Sequence, residues 1–337
     1  MPAVSAALSA APSHRAGRLE FDTLASATSA LGDPLRLTLL RLLRHSAYAV
    51  SELASMLDVS QPALSHHLKR LYGAELVARQ REGNSSYYRR GAACTEVAFA
   101  GLIETLDALP LEDAVAQRRQ QVLAEREAQS RRFFDEHASE LASLTARIST
   151  PERYGAALLA QAARFAGAAE AALEIGPGDG EILAALAQRY GAVVALDHSQ
   201  RMLDHTAAAL GNHPNLTLRH EPFEALPAQP TFDLIVAAMV LHHSSDPAGF
   251  MAHAARCLRP GGLLLVAELC SHSQSWAQET CGDRWLGFAA AELTHWAQVA
   301  GLAHLDAEFL AQRNGFRIQI HSFRRPAGPE SNPAGAA

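Results

Sequence analysis

The sequence predicts two successive folds: a small, mostly α unit closed by a β-hairpin, then a doubly wound α/β domain. Three observations carry this. Helix signals follow one another from Leu31 to Leu71, ahead of an alternating stretch with a Gly83-Asn84 turn. A strand, a glycine-rich turn, a helix and a second strand ending in an acid lie between Ala171 and Asp197. The length, 337 residues with 48% hydrophobic and 19% charged content, suffices for two or three separate cores.

This composition excludes a fibrous or wholly disordered chain. No stretch reaches the ~18 to 20 apolar residues that a membrane span needs, which excludes an integral membrane protein. The Ala/Ser-rich start has neither a basic opening nor a solid apolar stretch before Arg15, so it does not read as a secretory signal. Residues 1–20 are expected to be a disordered arm and 325–337 a disordered tail. Cys94, Cys257, Cys270 and Cys281 lie far apart with no CxxC spacing. They suggest neither a disulfide framework nor a thiolate zinc site, so a cytoplasmic protein without a metal is expected. The net charge of −6 is uneven. From Asp33 to Ala92, nine Arg and Lys face five acids, a basic segment in an acidic chain.

In LGDPLRLTLLRLL, Asp33 is the N-cap and Pro34 the first helical residue of a helix with apolar residues at helical spacing. Val50 to Leu57 is a second, short helix. After Asp58 and Val59 a third starts at Ser60, with Pro62 in its first turn and Leu64, Leu68 and Leu71 inward. This is a helix-turn-helix. Ser60, Gln61, Ser65, His66 and Lys69 then lie outward on the element that enters a major groove, where they can read base edges. LVARQREGNSSYYRR reads as a hairpin carrying Arg79 and Arg81, a basic wing. The alternative is a hairpin whose arginines are only solvated surface.

Through LGDPLRLTLL, SELASML, VSQPALSHHLKRL and REGNSSYYRR, the segment from Ala27 to about Leu109 resembles the ArsR-type winged-helix repressors. The resemblance implies a homodimer on double-stranded operator DNA. It also implies that EVAFAGLIETLDAL, with Val97, Leu102, Ile103 and Leu106, is the dimer helix. Metal-sensing members carry a cysteine motif where this chain has Tyr48, Ala49 and Val50, which cannot ligate a soft metal. A DNA-binding and dimerisation domain is therefore expected over 21–110.

Residues 111–153 are expected to be a helical connector. Val115, Val122, Phe134, Leu141 and Ile148 recur mostly at sevenfold spacing, interrupted at Gln129. A coiled-coil seam and a linker helix packing on its own domain both remain open.

In AALEIGPGDGEILAALAQRYGAVVALD, Gly176, Gly178 and Gly180 let the backbone approach a ligand, and Asp197 is placed to accept ribose hydroxyls, a Rossmann-like pattern. With LDHSQRML, FDLIVAAMVLHH and CLRPGG, the stretch from about Tyr154 to Phe323 resembles the class I S-adenosylmethionine methyltransferases. The ligand implied is S-adenosylhomocysteine or S-adenosylmethionine, in a domain over 154–324. By the resemblance Glu174, Gly176, Pro177, Gly178 and Gly180 surround its amino-acid part, Asp197 holds ribose, and His198, Ser199, Met202 and Met239 border the rest. Pro222 stands where an adenine-binding Asp is common, leaving Glu221, Phe223 or Glu224 for that role. His242 and His243, read as the end of the fourth strand, are weak catalytic candidates beside a purely structural reading.

Including SHSQSWAQETCGDRWLGF and RNGFRIQI, the whole chain resembles S-adenosylhomocysteine-responsive ArsR-type regulators of the methionine cycle. That implies a repressor whose ligand domain senses S-adenosylhomocysteine and/or S-adenosylmethionine. A pocket without a nearby carboxylate or room for the methyl would favour the neutral S-adenosylhomocysteine. The alternative is a small-molecule methyltransferase with an appended DNA-binding domain.

Overall fold

The structure, a computed structural model, describes residues 21–327 apart from 45, 83–84, 138–139, 141–146, 167–169, 212 and 275. The arm over 1–20, the Gly83-Asn84 turn, Leu141 and the tail beyond 327 lie outside these residues, as does the Arg81 side chain.

Both expected folds are present. The first contains α1 (Phe21–Leu31), α2 (Pro34–Leu42), β1 (Tyr48–Ala49), α3 (Val50–Leu57), α4 (Gln61–Gly73), β2 (Val77–Glu82), β3 (Ser85–Arg90) and α5 (Val97–Ala108). Asp33 caps α2 by accepting from the Arg36 amide at 3.0 Å. Asp58 adopts the left-handed conformation, φ 56°, which stops α3 and turns the chain into α4. Leu64, Leu68 and Leu71 are buried together with Leu39, Leu40, Leu53 and Met56. Two elements escape the sequence patterns. Helix α1 buries only Ala27, Ala30 and Leu31, and Arg36 anchors its end by donating to the Ala30 and Ser29 carbonyls. Strand β1 is two residues long and is held by pairing with β3, Tyr48 opposite Tyr88. Such short or small-residue elements carry too little periodicity to be seen without their partners.

The described part of the connector forms α6 (Asp113–His137), and most of 138–146 lies outside the described residues. It turns Val115, Val122, Arg126, Ser130 and Phe134 inward onto its own chain, packing against α3 and, further along, against a helix of the second domain. It thus packs on elements of both domains of its own chain, not on one domain alone.

The second domain comprises α7 (Pro151–Phe165), β4 (Ala171–Ile175), α8 (Glu181–Arg189), β5 (Ala192–Asp197), α9 (Gln200–Leu210), β6 (Leu216–His220), β7 (Phe232–Ala238), α10 (Pro247–Cys257), β8 (Leu258–Leu269), α11 (Trp276–Cys281), α12 (Ala290–Val299), β9 (Ala303–Ala311) and β10 (Arg317–Arg324). Its seven-stranded sheet runs β6-β5-β4-β7-β8-β10-β9, with the first five parallel and β10 antiparallel to both neighbours. Alternate residues of β7 feed two cores: Leu234 and Val236 one face, Ile235 and Ala237 the other. Strand order reverses around β4, so a crevice opens at its carboxyl end between β5 and β7. Among the described residues no helix is long and apolar enough to cross a membrane.

The domains meet through α6. Arg126, buried within the protein, grips Glu52 of α3 by two hydrogen bonds of 2.7 and 2.6 Å. It also donates to the Ala47 and Ser245 carbonyls and lies over the Tyr48 ring. One turn pair earlier, Arg119 bonds Asp246 at 2.9 Å and the Tyr48 hydroxyl at 3.1 Å. Ser46 donates to Asp246 from the winged-helix side, and Arg89 of the wing pairs with Glu292 of α12. Arg126→Ala leaves the Glu52 carboxylate without its partner, and is expected to cost about 3 kcal/mol. Urea unfolding of both proteins checks this; a loss below about 0.5 kcal/mol would show that the junction is a solvated surface contact.

Candidate functional site

The crevice is a cleft lined from three directions. The β4–α8 turn supplies Ile175 to Ile182, the ends of β5 and β6 supply Asp197, His198 and Glu221 to Glu224, and the segment after β7 supplies Ala238 to Ser245. The fourth wall is α6 itself, through Glu127, Ser130 and Phe134.

Positive φ at Gly176, Gly178 and Gly180 bends the turn. A Cβ on Gly176 would come within 2.9 Å of Val240, and one on Gly180 within 2.9 Å of Leu210, so both are needed for packing. Nothing lies within 4 Å of the Cβ position of Gly178, whose backbone faces open space. Thr206 holds the turn from behind by donating to the Gly178 carbonyl at 2.7 Å. Strand β7 ends differently from expectation. Met239, at φ 57°, breaks it, and His242 and His243 stand in a 3-10 turn beyond the strand rather than at its end.

Of the residues singled out in the sequence, Glu174, Gly176, Pro177, Gly178, Gly180, Asp197, His198, Met202, Glu221, Phe223, Met239, His242 and His243 all line the cleft. Ser199 does not. It is fully buried as the N-cap of α9, bonding the Met202 amide, and donates to Asp135 of α6 at 2.6 Å. The LDHSQRML pattern marks the helix start but cannot tell a cap from a ligand contact. The α6 residues escaped sequence reading because nothing local places a connector beside a cleft; Tyr154, Ser244 and Asp283 join them there.

Several polar atoms in the cleft wall are buried and without a hydrogen-bond partner among the described residues: Ser130 Oγ, Glu174 Oε2, His198 Nε2 and both carboxylate oxygens of Asp283. Buried groups of this kind are costly unless something bonds them. Burial pushes the Glu174 carboxyl well above its usual range and His198 down to about 4. Asp197 accepts from the Ser199 amide at 2.8 Å, yet burial outweighs that bond and raises its carboxyl to about 6. His242 sits between two acids. Its Nδ1 is 2.5 Å from Glu268 Oε1, and its Nε2 is 3.6 Å from Asp283 Oδ1. Burial alone would lower it, but the two carboxylates prevail and hold it at about 9. Protonated at neutral pH, it is no ready base. His243, lowered well below its usual value by burial and by the charge of His242, bonds the Gly282 carbonyl through Nδ1 at 3.1 Å.

On the first domain, Ser60, Gln61, Ser65, His66 and Lys69 are all exposed along one face of α4, and Arg79 is exposed on β2, stacked over Tyr72. Phe21 and Leu24 of α1, with Val97, Leu102 and Leu109 in and beside α5, are exposed apolar residues. Ile103 and Leu106, expected with them in a dimer face, are instead buried in the chain's own core.

Residues 33–79 match the family model described as bacterial regulatory protein, arsR family, and residues 173–266 match the one described as methyltransferase domain. The chain joins an arsR-type helix-turn-helix region to a methyltransferase domain. Relatives include a demethylmenaquinone methyltransferase of Tropheryma whipplei strain Twist, 34% identical over 30% of this chain and 42% of that protein. An ubiquinone biosynthesis O-methyltransferase of Caulobacter sp. strain K31 is 31% identical over 48% of this chain and 63% of that protein. The chain thus spans less than two thirds of the length of either. Among solved structures, the N-methyltransferase NodS from Bradyrhizobium japonicum with S-adenosylhomocysteine is 20% identical, with a TM-score of 0.44 over 52% of this chain and 87% of that one.

A carboxyl raised from 3.8 to about 6 binds more protons folded than unfolded, so its contribution to stability is present at low pH and lost as pH rises through 6. Asp197→Asn removes that loss. The variant is expected to be about 1 to 3 kcal/mol more stable than the parent at pH 7.5, with the gap narrowing toward pH 5. Denaturant titrations at the two pH values check the sign; a gap that is absent at pH 7.5 or widens on acidification contradicts it.

Proposed function

We propose that this protein is a DNA-binding repressor whose methyltransferase-like cleft senses S-adenosylhomocysteine, with S-adenosylmethionine as competitor, and controls genes of the methionine cycle. One observation carries the reading. Arg126 and Glu127 are consecutive in α6, yet the first clamps α3 of the helix-turn-helix and the second lines the cleft. A ligand that contacts α6 acts directly on the element that positions the DNA-reading helix.

The residues present suit an S-adenosyl ligand. The open backbone at Gly178 can approach its amino-acid part, Asp197 can accept a ribose diol, and the unpartnered Glu174 and Ser130 offer further polar contacts. When bound, S-adenosylmethionine carries an electrophilic sulfonium methyl, which S-adenosylhomocysteine lacks. Carboxylates do line this cleft, at Glu127, Glu174, Glu224 and Asp283, so the carboxylate-free condition for preferring the neutral ligand is not met. Discrimination then depends on their protonation, and burial raises the carboxyls of Glu174 and Glu224 toward the neutral form.

Helix α4 supplies donors and acceptors for base edges, and the basic β2–β3 hairpin supplies phosphate contacts. The exposed apolar residues of α1 and α5 support a homodimer formed through those helices, which would set two α4 helices about 34 Å apart on a palindromic operator.

Occupancy of the cleft is expected to weaken operator binding by about five- to 150-fold, and operator to weaken ligand binding by the same factor. Fluorescence anisotropy on DNA selected by the protein from a random pool, with each ligand at saturation, checks this. Unchanged midpoints with both ligands, while calorimetry shows them bound, would sink the sensor reading and favour the methyltransferase. Arg79→Ala should weaken binding to all sequences and reduce the salt slope by about one, whereas Gln61→Ala should relax base preference. Loss of equal size on specific and random DNA for both variants would refute that division. Val97→Glu with Leu102→Glu should shift the protein toward monomer in sedimentation; an unaltered dimer would place the interface elsewhere.

A further inference from the structure

We propose that His242, His243 and Asp283 form a binding site for a divalent transition-metal cation of the zinc type at the floor of the cleft. One ligand atom from each lies within 4.8 Å of the others, and all three residues line the cleft. The grouping comes from the 3-10 turn after β7 meeting the loop after α11, 40 residues later, which is why cysteine and histidine spacing along the chain shows nothing of it. Among the described residues it is this cluster, and not the cysteines, that gathers ligand-type side chains.

Two independent observations point to a cation. Both Asp283 carboxylate oxygens are buried with no hydrogen-bond partner among the described residues, and the side chain has no exposed surface. His242 Nε2, 3.6 Å from Oδ1, is the group set against this carboxylate among the described residues, and no hydrogen bond satisfies its oxygens there. Secondly, both imidazoles are set as metal-binding imidazoles are. His242 Nδ1 is tied to Glu268 and His243 Nδ1 to the Gly282 carbonyl, so each ring directs Nε2 away from its tether. Such outer partners fix the tautomer and orient the ligand. Glu268, itself wholly buried, also accepts from the His242 amide, so the ring and its backbone are fixed by one carboxylate.

The separation of 3.6 Å between His242 Nε2 and Asp283 Oδ1 is too long for a good hydrogen bond. It is close to the ~3.3 Å between two ligands that each stand ~2.0 Å from a tetrahedral ion. The cluster's ligand atoms, within 4.8 Å of one another, draw closer when an ion is bound. On binding, the cation takes the place of the proton on His242 Nε2, which leaves to solvent. Two nitrogens and one carboxylate leave a four-coordinate ion at least one open position, and all three ligands line the cleft. A hydroxyl or carboxylate oxygen of the cleft's occupant is the class of ligand that would complete it. This site does not depend on the regulatory reading, since the cation is held by the chain alone.

The test uses the full chain stripped by chelator, incubated with Zn(II) alone and desalted, with metal counted by plasma mass spectrometry. One equivalent is expected, lost in Asp283→Asn and in His243→Gln, and bound about ten- to hundredfold more weakly in Glu268→Gln. Each variant is checked for parental circular dichroism. Because a variant can fail to fold, the parent is also loaded with Co(II), whose visible spectrum should show four- or five-coordinate nitrogen and oxygen ligation without thiolate charge transfer. No retained zinc in the parent, retention equal to the parent in folded Asp283→Asn and His243→Gln, or a thiolate band with cobalt would each overturn the proposal.

Discussion

The arrangement of this protein depends on a guanidinium taken out of water between two domains. Arg126 would be unstable where it sits without its partners, and every partner belongs to a different piece of chain: Glu52 to α3, the Ala47 carbonyl to the turn before β1, and the Ser245 carbonyl to the loop after β7. Breaking any one of these leaves a buried charge poorly satisfied, so the three segments hold their positions together. Arg284 extends the set by donating to the Arg126 carbonyl, while its own amide bonds the carbonyl of His242 in the cleft wall. A continuous chain of contacts therefore runs from the cleft wall to the helix-turn-helix.

The cleft has the opposite character. Where the junction is fully paired, the cleft wall leaves Ser130, Glu174, His198 and Asp283 short of partners, and carries Met239 at a positive φ that a side chain seldom adopts. Asp197 pays for its position with a carboxyl raised to about 6. Polar groups desolvated in advance gain more from a ligand than groups that must first shed water, so instability here is coupled to affinity. Helix α6 touches both regimes within one turn, and it packs on α9 next to Asp197 through Asp135 and Ser199.

How far the sequence could be read depended on the range of the interactions involved. Local signals sufficed for the Asp33 cap, the break at Asp58, the three buried leucines of α4 and the glycine turn after β4, because each is set by residues a few positions apart. They failed for β1, which exists only as the partner of β3, and for α1, whose Ser, Thr and Ala residues give no clear period. They misplaced His242 and His243 because a hydrophobic run does not reveal that Met239 bends the strand away. They could not tell that the Ser199 hydroxyl caps a helix, since one hydroxyl serves as cap or as ligand contact.

The sequence by itself determined the two fold types, their order, the exposed polar face of α4 and the residues of the β4–α8 turn, all of which follow from periodicity, turn chemistry and charge within short windows. Only the tertiary structure decided what the connector does. Its sparse apolar positions were compatible with a seam to another chain, and the choice fell to Arg126 and Phe134, whose partners lie more than 60 residues away in sequence. The same holds for His242, His243 and Asp283, which meet only because the loop after α11 folds back over the end of β7. Contacts of that range are set by the closure of the sheet and the docking of α6, and no local pattern encodes them.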